Sequence, residues 1–206
     1  MALQPSLRSQ IVIGSSNAPH TLEIFLDYVC PFSAKIAFKI DKILKPLIGP
    51  GGPHTGKVKL IFRQQVQPWH AVSTLTHEAA LAVVRVSPEN FWPFSLKLFE
   101  KQGEYFDIPA QDLSIRQIRE KLVTLASEVI PDAQAAEKVR DLLELKGSPN
   151  GGNAVTDDLK YTVKYSRQNG VHVSPTALWD GIIANQIGSS WEEKDWAEYF
   201  SKAITV

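Results

Sequence analysis

A run of strand-forming residues that leads into a cysteine–proline pair constrains the fold of this chain most. The run is H-T-L-E-I-F-L-D, His20 to Asp27, and its apolar residues stand on consecutive positions from Ile24 to Leu26. Such continuity is typical of a strand covered on both faces of a sheet. Helical spacing of apolar residues begins at Phe32, two residues after Cys30, which is the chain's one cysteine. A buried strand is therefore predicted to pass into a helix at this cysteine.

A second strand is predicted after that helix. The helical pattern is expected to stop near Pro46 and the glycine-rich loop 49–56, and K-V-K-L-I-F-R, Lys57 to Arg63, then alternates with period two. Parallel strands joined through a helix almost always form a right-handed crossover. An earlier short strand is expected in Q-I-V-I-G, which ends at Gly14.

The middle of the chain is predicted to be helical. Residues 73–169 carry helical patterns and almost no strand signal, and helix starts are indicated at Ser87–Pro88, Ser114 and Asp132. A further helix is expected from Asn153 to Gln168. This block is therefore predicted to be an all-helical insertion.

Strand character returns near the end of the sequence. Asp180–Gly181 stands between the apolar runs A-L-W and I-I-A, and such a pair is a clear hairpin signal because both turn positions tolerate positive φ. A final helix is expected from Trp191, with one aromatic stripe along it.

The charge balance and the single cysteine exclude several classes of function. Lysine plus arginine and aspartate plus glutamate number 22 each, so no net field attracts nucleic acid or anionic lipid. No apolar run approaches the roughly 20 residues of a membrane span. One cysteine forms no internal disulfide, and the sequence shows no signal-peptide pattern. Both observations favour a reducing compartment, so a cytoplasmic location is expected. The sequence makes no prediction of oligomeric state.

Two motifs resemble one family. The stretch N-A-P-H-T-L-E-I-F-L-D-Y-V-C-P-F-S resembles the opening of the DsbA-like branch of thioredoxin-fold oxidoreductases, and V-S-P-T, Val173 to Thr176, resembles the turn before the family's last two strands. The resemblance implies an α/β thioredoxin-like fold with a mixed central sheet and an all-helical insertion between its two halves. It implies one domain over residues 1–206, with a core of 10–72 and 170–206 and an insertion of 73–169. It also implies an exposed cysteine.

The chain departs from the family at Ser33, where the two-thiol enzymes of the family have a second cysteine. A C-x-x-S motif stores no internal disulfide. A single thiol still attacks a disulfide, but release of the adduct then needs a second thiol from outside. The sequence therefore predicts monothiol exchange through Cys30 as the nucleophile, with no bound cofactor. Glutathione is the expected co-substrate, and protein thiols or disulfides are the alternative partners.

Cys30 and Ser33 are the predicted catalytic residues. The thiolate is the reactive form, and the N-terminus of a helix that starts at Pro31 would favour it. The Ser33 hydroxyl, three residues on, is in a position to donate to the sulfur. The alternatives are that Cys30 is a small buried apolar residue and that Ser33 is an ordinary first-turn serine.

The predicted substrate contacts come from three segments. Pro31 and Phe32 follow the cysteine, and the resemblance implies that Pro175 is cis, faces the cysteine and leaves the backbone of Ser174 to pair with an extended peptide. Trp69 and His70, in P-W-H, are candidates for an apolar wall and a proton shuttle. Ordinary loop packing is the alternative for that pair.

Other polar residues receive weaker assignments. Asp27 is either a buried carboxylate that takes the thiol proton or a strand-end residue that caps a turn. His77 lies on an apolar helical face, which favours a hydrogen-bonded histidine. The histidines show no spacing typical of a metal site, so no metal is predicted.

Two other functions remain open. Kappa-class glutathione transferases are similar in fold and have a serine near the head of the same helix, so Ser33 is the working residue in that alternative. The third possibility is a peptide-binding module that has lost redox turnover.

Overall fold

A computed structural model describes residues 3–145 and 147–206. The chain divides into two compact units. The first contains the segment that ends at Leu26 together with Cys30–Arg63 and Val173–Val206, and the second contains Asp27–Val29 and Gln64–His172. The predicted single domain and its internal boundaries stay predictions.

A five-stranded sheet forms the centre of the first unit. Its strands are β1 (Ile11–Ile13), β2 (His20–Leu26), β3 (Val58–Gln64), β4 (Thr176–Trp179) and β5 (Ile182–Ile183). The order across the sheet is β1-β3-β2-β4-β5, so β2 is central, and every residue of β2 is buried. The neighbouring pairs β1–β3, β2–β4 and β4–β5 are antiparallel, and the sheet as a whole is mixed. The predicted fold class is confirmed.

The third strand, predicted from its period-two pattern, is buried along its whole length. All seven residues of β3 are buried, including two cationic side chains. Lys59 donates through Nζ to the backbone oxygen of Ala18 at 2.7 Å, and Arg63 donates through Nε to Glu23 Oε2 at 2.6 Å. Burial of these two cationic side chains is possible because each has a specific hydrogen-bond acceptor inside the sheet.

The helix after Cys30 ends where the sequence predicts. It runs through α1 (Pro31–Lys39), a π-helical segment (Ile40–Leu44) and α2 (Lys45–Ile48). Pro46 lies in the first turn of α2, and the helix ends at Ile48 with Gly49 as its C-cap, so the predicted stop at Pro46 and the glycine-rich loop is confirmed.

The second unit is helical, as the sequence predicts for this block. Its helices are α3 (Ser73–Val86), α4 (Phe91–Glu100), α5 (Asp107–Ala110), α6 (Ile115–Ser127), α7 (Ala133–Leu143) and α8 (Thr156–Gln168). Ser114 forms a capping box with Gln117, and the Asp132 side chain accepts from the backbone N–H of Gln134. Both predicted caps are confirmed.

Two helix starts in this unit were placed wrongly. Ser87 and Pro88 open a short 3₁₀ turn, Pro88–Asn90, and α4 starts after it. The helix expected from Asn153 starts at Thr156, because the Asn153 side chain instead accepts from the Val155 N–H at 3.1 Å and so forms the turn before it.

The C-terminal hairpin and helix follow the prediction. Asp180 and Gly181 have φ of 47° and 87° between β4 and β5. The last helix, α9 (Glu193–Ala203), buries Trp196 and Phe200. In the described ranges, no helix has both the length and the apolar character that crossing a bilayer requires.

Candidate functional site

Cys30 lies at the N-terminal end of α1. Its backbone is extended, with φ −96° and ψ 119°, and Pro31 is the first helical residue. The Ala34 N–H donates to the Cys30 carbonyl at 3.1 Å and closes the first turn. Proline fits this position because a first-turn N–H has no partner within the helix. The sulfur is therefore carried by the junction of the central strand and its crossover helix.

The thiol points to the segment before β4. Cys30 Sγ donates a hydrogen bond to the backbone oxygen of Ser174 at 3.5 Å and makes no capping bond to the first turn of α1. The residue is 5% exposed. The expectation of an exposed cysteine was wrong, because the small side chain faces the Ser174 carbonyl instead of solvent.

Strand pairing places Ser174 beside the cysteine. Thr176, the first residue of β4, pairs with Phe25 near the end of β2. The Thr176 hydroxyl donates to the Val173 carbonyl at 2.7 Å, which fixes the preceding turn. The Ser174–Pro175 peptide bond is cis. Residues 144 positions apart in sequence thus meet at the sulfur.

Exposed apolar side chains adjoin both halves of this contact. Phe32, two residues after Cys30, is 57% exposed, and Val173, directly before Ser174, is 55% exposed. The Lys35 ammonium lies 5.5 Å from the centre of the Phe32 ring. Phe32 and Val173 are thus exposed apolar side chains close in sequence to the two residues that meet at the sulfur.

Ser33 lies on the inner face of α1. It is fully buried, and Ala34, Ile36 and Ala37 on the same helix are buried as well. Its hydroxyl is therefore shielded from any bulky solute that approaches the first unit.

Trp69 and His70 belong to the helical unit. Trp69 is 57% exposed. His70 Nδ1 hydrogen-bonds to Asp107 Oδ2, in the first turn of α5, at 2.9 Å. The carboxylate fixes the imidazole orientation through Nδ1, so Nε2 is the nitrogen not engaged in that bond.

Asp27 lies at the centre of a buried polar cluster. Its Oδ1 accepts from the Val29 N–H at 2.8 Å, and its Oδ2 accepts from the Gln67 N–H at 2.7 Å and the Ser73 hydroxyl at 2.5 Å. His77 Nε2 lies 3.8 Å from the same Oδ2. Asp27 is thus both buried and the cap of a turn, as the two alternatives for it expected, while its role towards the thiol proton stays a prediction.

The environment of Asp27 keeps it ionised. Burial acts to raise the pKa of this carboxyl, but His77, the Ser73 hydroxyl and the Val29 N–H together outweigh burial and hold the pKa below its usual value. His77 is fully buried and donates through Nδ1 to Gln64 Oε1 at 3.1 Å, which confirms the hydrogen-bonded core histidine. The sequence carries no signal that pairs Ser73 with Asp27, because they are 46 positions apart.

Within residues 3–145 and 147–206, no group of three or more His, Cys, Asp or Glu side chains is placed to hold a metal ion.

Comparison with known proteins agrees with this geometry. A family model described as thioredoxin matches residues 6–195. The chain is 38% identical over 104 residues to disulfide bond formation protein D of Bacillus subtilis, a match that covers 49% of this chain and 43% of that protein. It therefore spans less than half of that relative's length.

Solved structures give the same fold. A candidate protein-disulfide isomerase of Pseudomonas syringae superposes with a TM-score of 0.66 at 25% identity, over 90% of this chain and 94% of that chain. DsbA of Chlamydia trachomatis superposes with a TM-score of 0.63 at 14% identity, over 98% and 95%. The chain belongs to the thioredoxin family, and the resemblance to its DsbA-like branch is confirmed.

Proposed function

We propose that this chain is a thiol-disulfide oxidoreductase of DsbA-like type that acts through the single thiol of Cys30. The observation that carries the proposal is the position of Cys30 at the N-terminus of α1, with its sulfur 3.5 Å from the Ser174 carbonyl. A helix N-terminus favours negative charge, which a thiolate carries.

The exchange has two steps. The thiol loses its proton to solvent and leaves the Ser174 carbonyl, and the Cys30 thiolate then attacks one sulfur of a substrate disulfide. A bond forms between the Cys30 sulfur and that sulfur, and the other substrate sulfur leaves as a thiolate and takes up a proton.

Ser33 stands where a resolving cysteine would be needed, so an external thiol must complete the cycle. That thiolate attacks the substrate sulfur of the mixed disulfide, and Cys30 leaves as a thiolate. Glutathione is the proposed external thiol, and proteins are the proposed disulfide substrates.

The proposed substrate surface is apolar. Phe32, two residues after Cys30, and Val173, directly before Ser174, are both exposed. The backbone of Ser174 is the proposed partner of an extended peptide. Because the chain's single cysteine requires no oxidising environment, we also propose a cytoplasmic location.

Of the two alternative functions, a glutathione transferase that uses Ser33 and a peptide-binding module, the second has more structural support. Burial of Ser33 disfavours a transferase in which this hydroxyl activates the thiol of glutathione. A peptide-binding module without turnover is the second candidate, because Cys30 is nearly buried while Phe32 and Val173 are exposed.

Incubation with oxidised glutathione tests the proposal. We expect one glutathione adduct per chain by intact mass, its loss in Cys30→Ser, and its release by added reduced glutathione. Ser33→Ala should keep this reaction. A folded protein that forms no adduct, while the same protein forms one in urea, would exclude exchange. Binding of an apolar peptide by that unreactive protein would then support the binding module.

A further inference from the structure

We propose that Asp27 is a positioning residue for thiol exchange: its carboxylate fixes the backbone that carries Cys30 and does not take the thiol proton. The inference rests on the proposed function of Cys30.

Both oxygens of Asp27 already accept hydrogen bonds. Oδ1 accepts from the Val29 N–H, and Oδ2 accepts from the Gln67 N–H and the Ser73 hydroxyl, at 2.5 to 2.8 Å. The residue is fully buried. A proton delivered to this carboxylate would meet three donors that already point at it. The arrangement therefore suits a permanent anion better than a proton acceptor.

The titratable groups around Asp27 support that assignment. From α3, His77 Nε2 lies 3.8 Å from Oδ2 and favours the ionised carboxylate. Tyr28, the next residue, packs on the His77 ring at 4.9 Å and hydrogen-bonds through its hydroxyl to Ser95 at 2.8 Å. Burial raises the pKa of Tyr28, so its hydroxyl stays neutral at physiological pH.

Asp27 acts on Cys30 through the backbone. A bond from an aspartate side chain to the N–H two residues on is an Asx turn, which here bends the chain after β2 ends at Leu26. Val29 is bonded directly to Cys30, so this turn sets the direction in which the Cys30 side chain points. Oδ2 meanwhile anchors the same turn to Gln67 and to the first turn of α3.

The two ways in which a thiol is commonly assayed differ in their demand for orientation. Disulfide exchange needs the attacking sulfur in line with the substrate's S–S bond, whereas a small alkylating agent accepts many approach directions. Loss of the Asp27 anchor should therefore slow exchange more than alkylation.

Ser73→Ala is the main test, because it removes one donor and keeps the carboxylate. We expect its rate constant with oxidised glutathione to fall about tenfold, while alkylation by iodoacetamide stays within about twofold of the unmodified protein and both reactions keep their pH midpoints. Asp27→Asn, which turns an amide donor towards other donors, should slow exchange at least as much. The matched control is Ser95→Ala, which removes a buried hydroxyl bond to Tyr28 and should change both rates by less than about twofold.

Each other result overturns the inference in a recognisable way. If Asp27 were the proton acceptor, loss of a donor would make it a stronger base, and Ser73→Ala would exchange as fast as the unmodified protein or faster. If Ser73 and Asp27 only stabilise the fold, Ser73→Ala would raise both the alkylation rate and the sensitivity to urea, because the buried thiol becomes exposed. If the unmodified protein is alkylated but never exchanges with oxidised glutathione, the proposed function fails, and the positioning role fails with it.

Discussion

The buried ion pair between β2 and β3 offers the sharpest test of the fold around the site. Arg63 Nε lies 2.6 Å from Glu23 Oε2, and their side chains are 4% and 0% exposed. Arg63→Met would leave the carboxylate buried without this partner, and removal of one member of a buried pair typically costs about 3 to 5 kcal/mol. We therefore expect Arg63→Met to lose about 3 to 5 kcal/mol of unfolding free energy at pH 7.

Urea unfolding followed by tryptophan fluorescence measures this loss, because Trp179, Trp191 and Trp196 all belong to the same unit as the ion pair. The double variant Glu23→Met/Arg63→Met should recover to within about 1 kcal/mol of the unmodified protein. Lys202→Ala, which breaks an exposed pair on α9, is the control and should cost less than about 0.5 kcal/mol.

Two outcomes would refute this reasoning. A loss below about 1 kcal/mol in Arg63→Met would mean that the pair contributes no more than a surface ion pair. A double variant as unstable as Arg63→Met would mean that the cost lies in packing around Arg63 and not in an uncompensated charge.

Three further perturbations follow from the described contacts. The pKa of Asp27 is depressed in the folded state, so its stabilisation is complete above the ordinary carboxyl pKa and is lost as pH falls through the lower folded-state pKa. The urea midpoint should therefore drop as the pH is lowered below the ordinary carboxyl pKa, and less steeply in Asp27→Asn. Ser114→Ala removes the capping box of α6 and should lower the unfolding free energy by about 1 kcal/mol in urea titrations. Gly14 and Gly51 have φ of 83° and 82°, but only at Gly14 would a Cβ meet a backbone oxygen, that of Val58 at 2.4 Å. Gly51→Ala should therefore cost about 1 kcal/mol and Gly14→Ala clearly more in thermal melts, and equal costs would contradict the clash.

Local signals in the sequence were enough to predict the framework of the site. The passage from β2 through Cys30 into α1 needs only a buried strand, a proline suited to the first helical turn, and helical spacing beyond it. The Asp180–Gly181 turn needs only two residues that tolerate positive φ. Each signal lies within a few residues of the structure that it predicts.

The surroundings of the sulfur depend on contacts that no local pattern encodes. Cys30 is nearly buried because Ser174, 144 positions away, accepts from its thiol, and Asp27 is ionised partly because Ser73, 46 positions away, donates to it. The sequence also does not show that a carbonyl oxygen and a carboxylate accept hydrogen bonds from Lys59 and Arg63 inside the sheet. Residue type indicates which chemistry is available, whereas exposure and protonation state depend on partners that tertiary packing supplies.

Near-complete burial of Cys30 has a particular consequence for a protein with one thiol. Under the proposed function, a mixed disulfide at Cys30 is resolved only by an external thiol, since position 33 holds a buried serine. That thiol must reach the substrate sulfur beside a residue that is only 5% exposed. The lifetime of the adduct should therefore depend on steric access past exposed groups such as Phe32 as well as on the concentration of the thiol. Phe32→Ala should then shorten the adduct's lifetime with a bulky protein thiol more than with glutathione. Intact mass followed over time measures both lifetimes. Equal acceleration with the two thiols would show that steric access does not control the lifetime of the adduct.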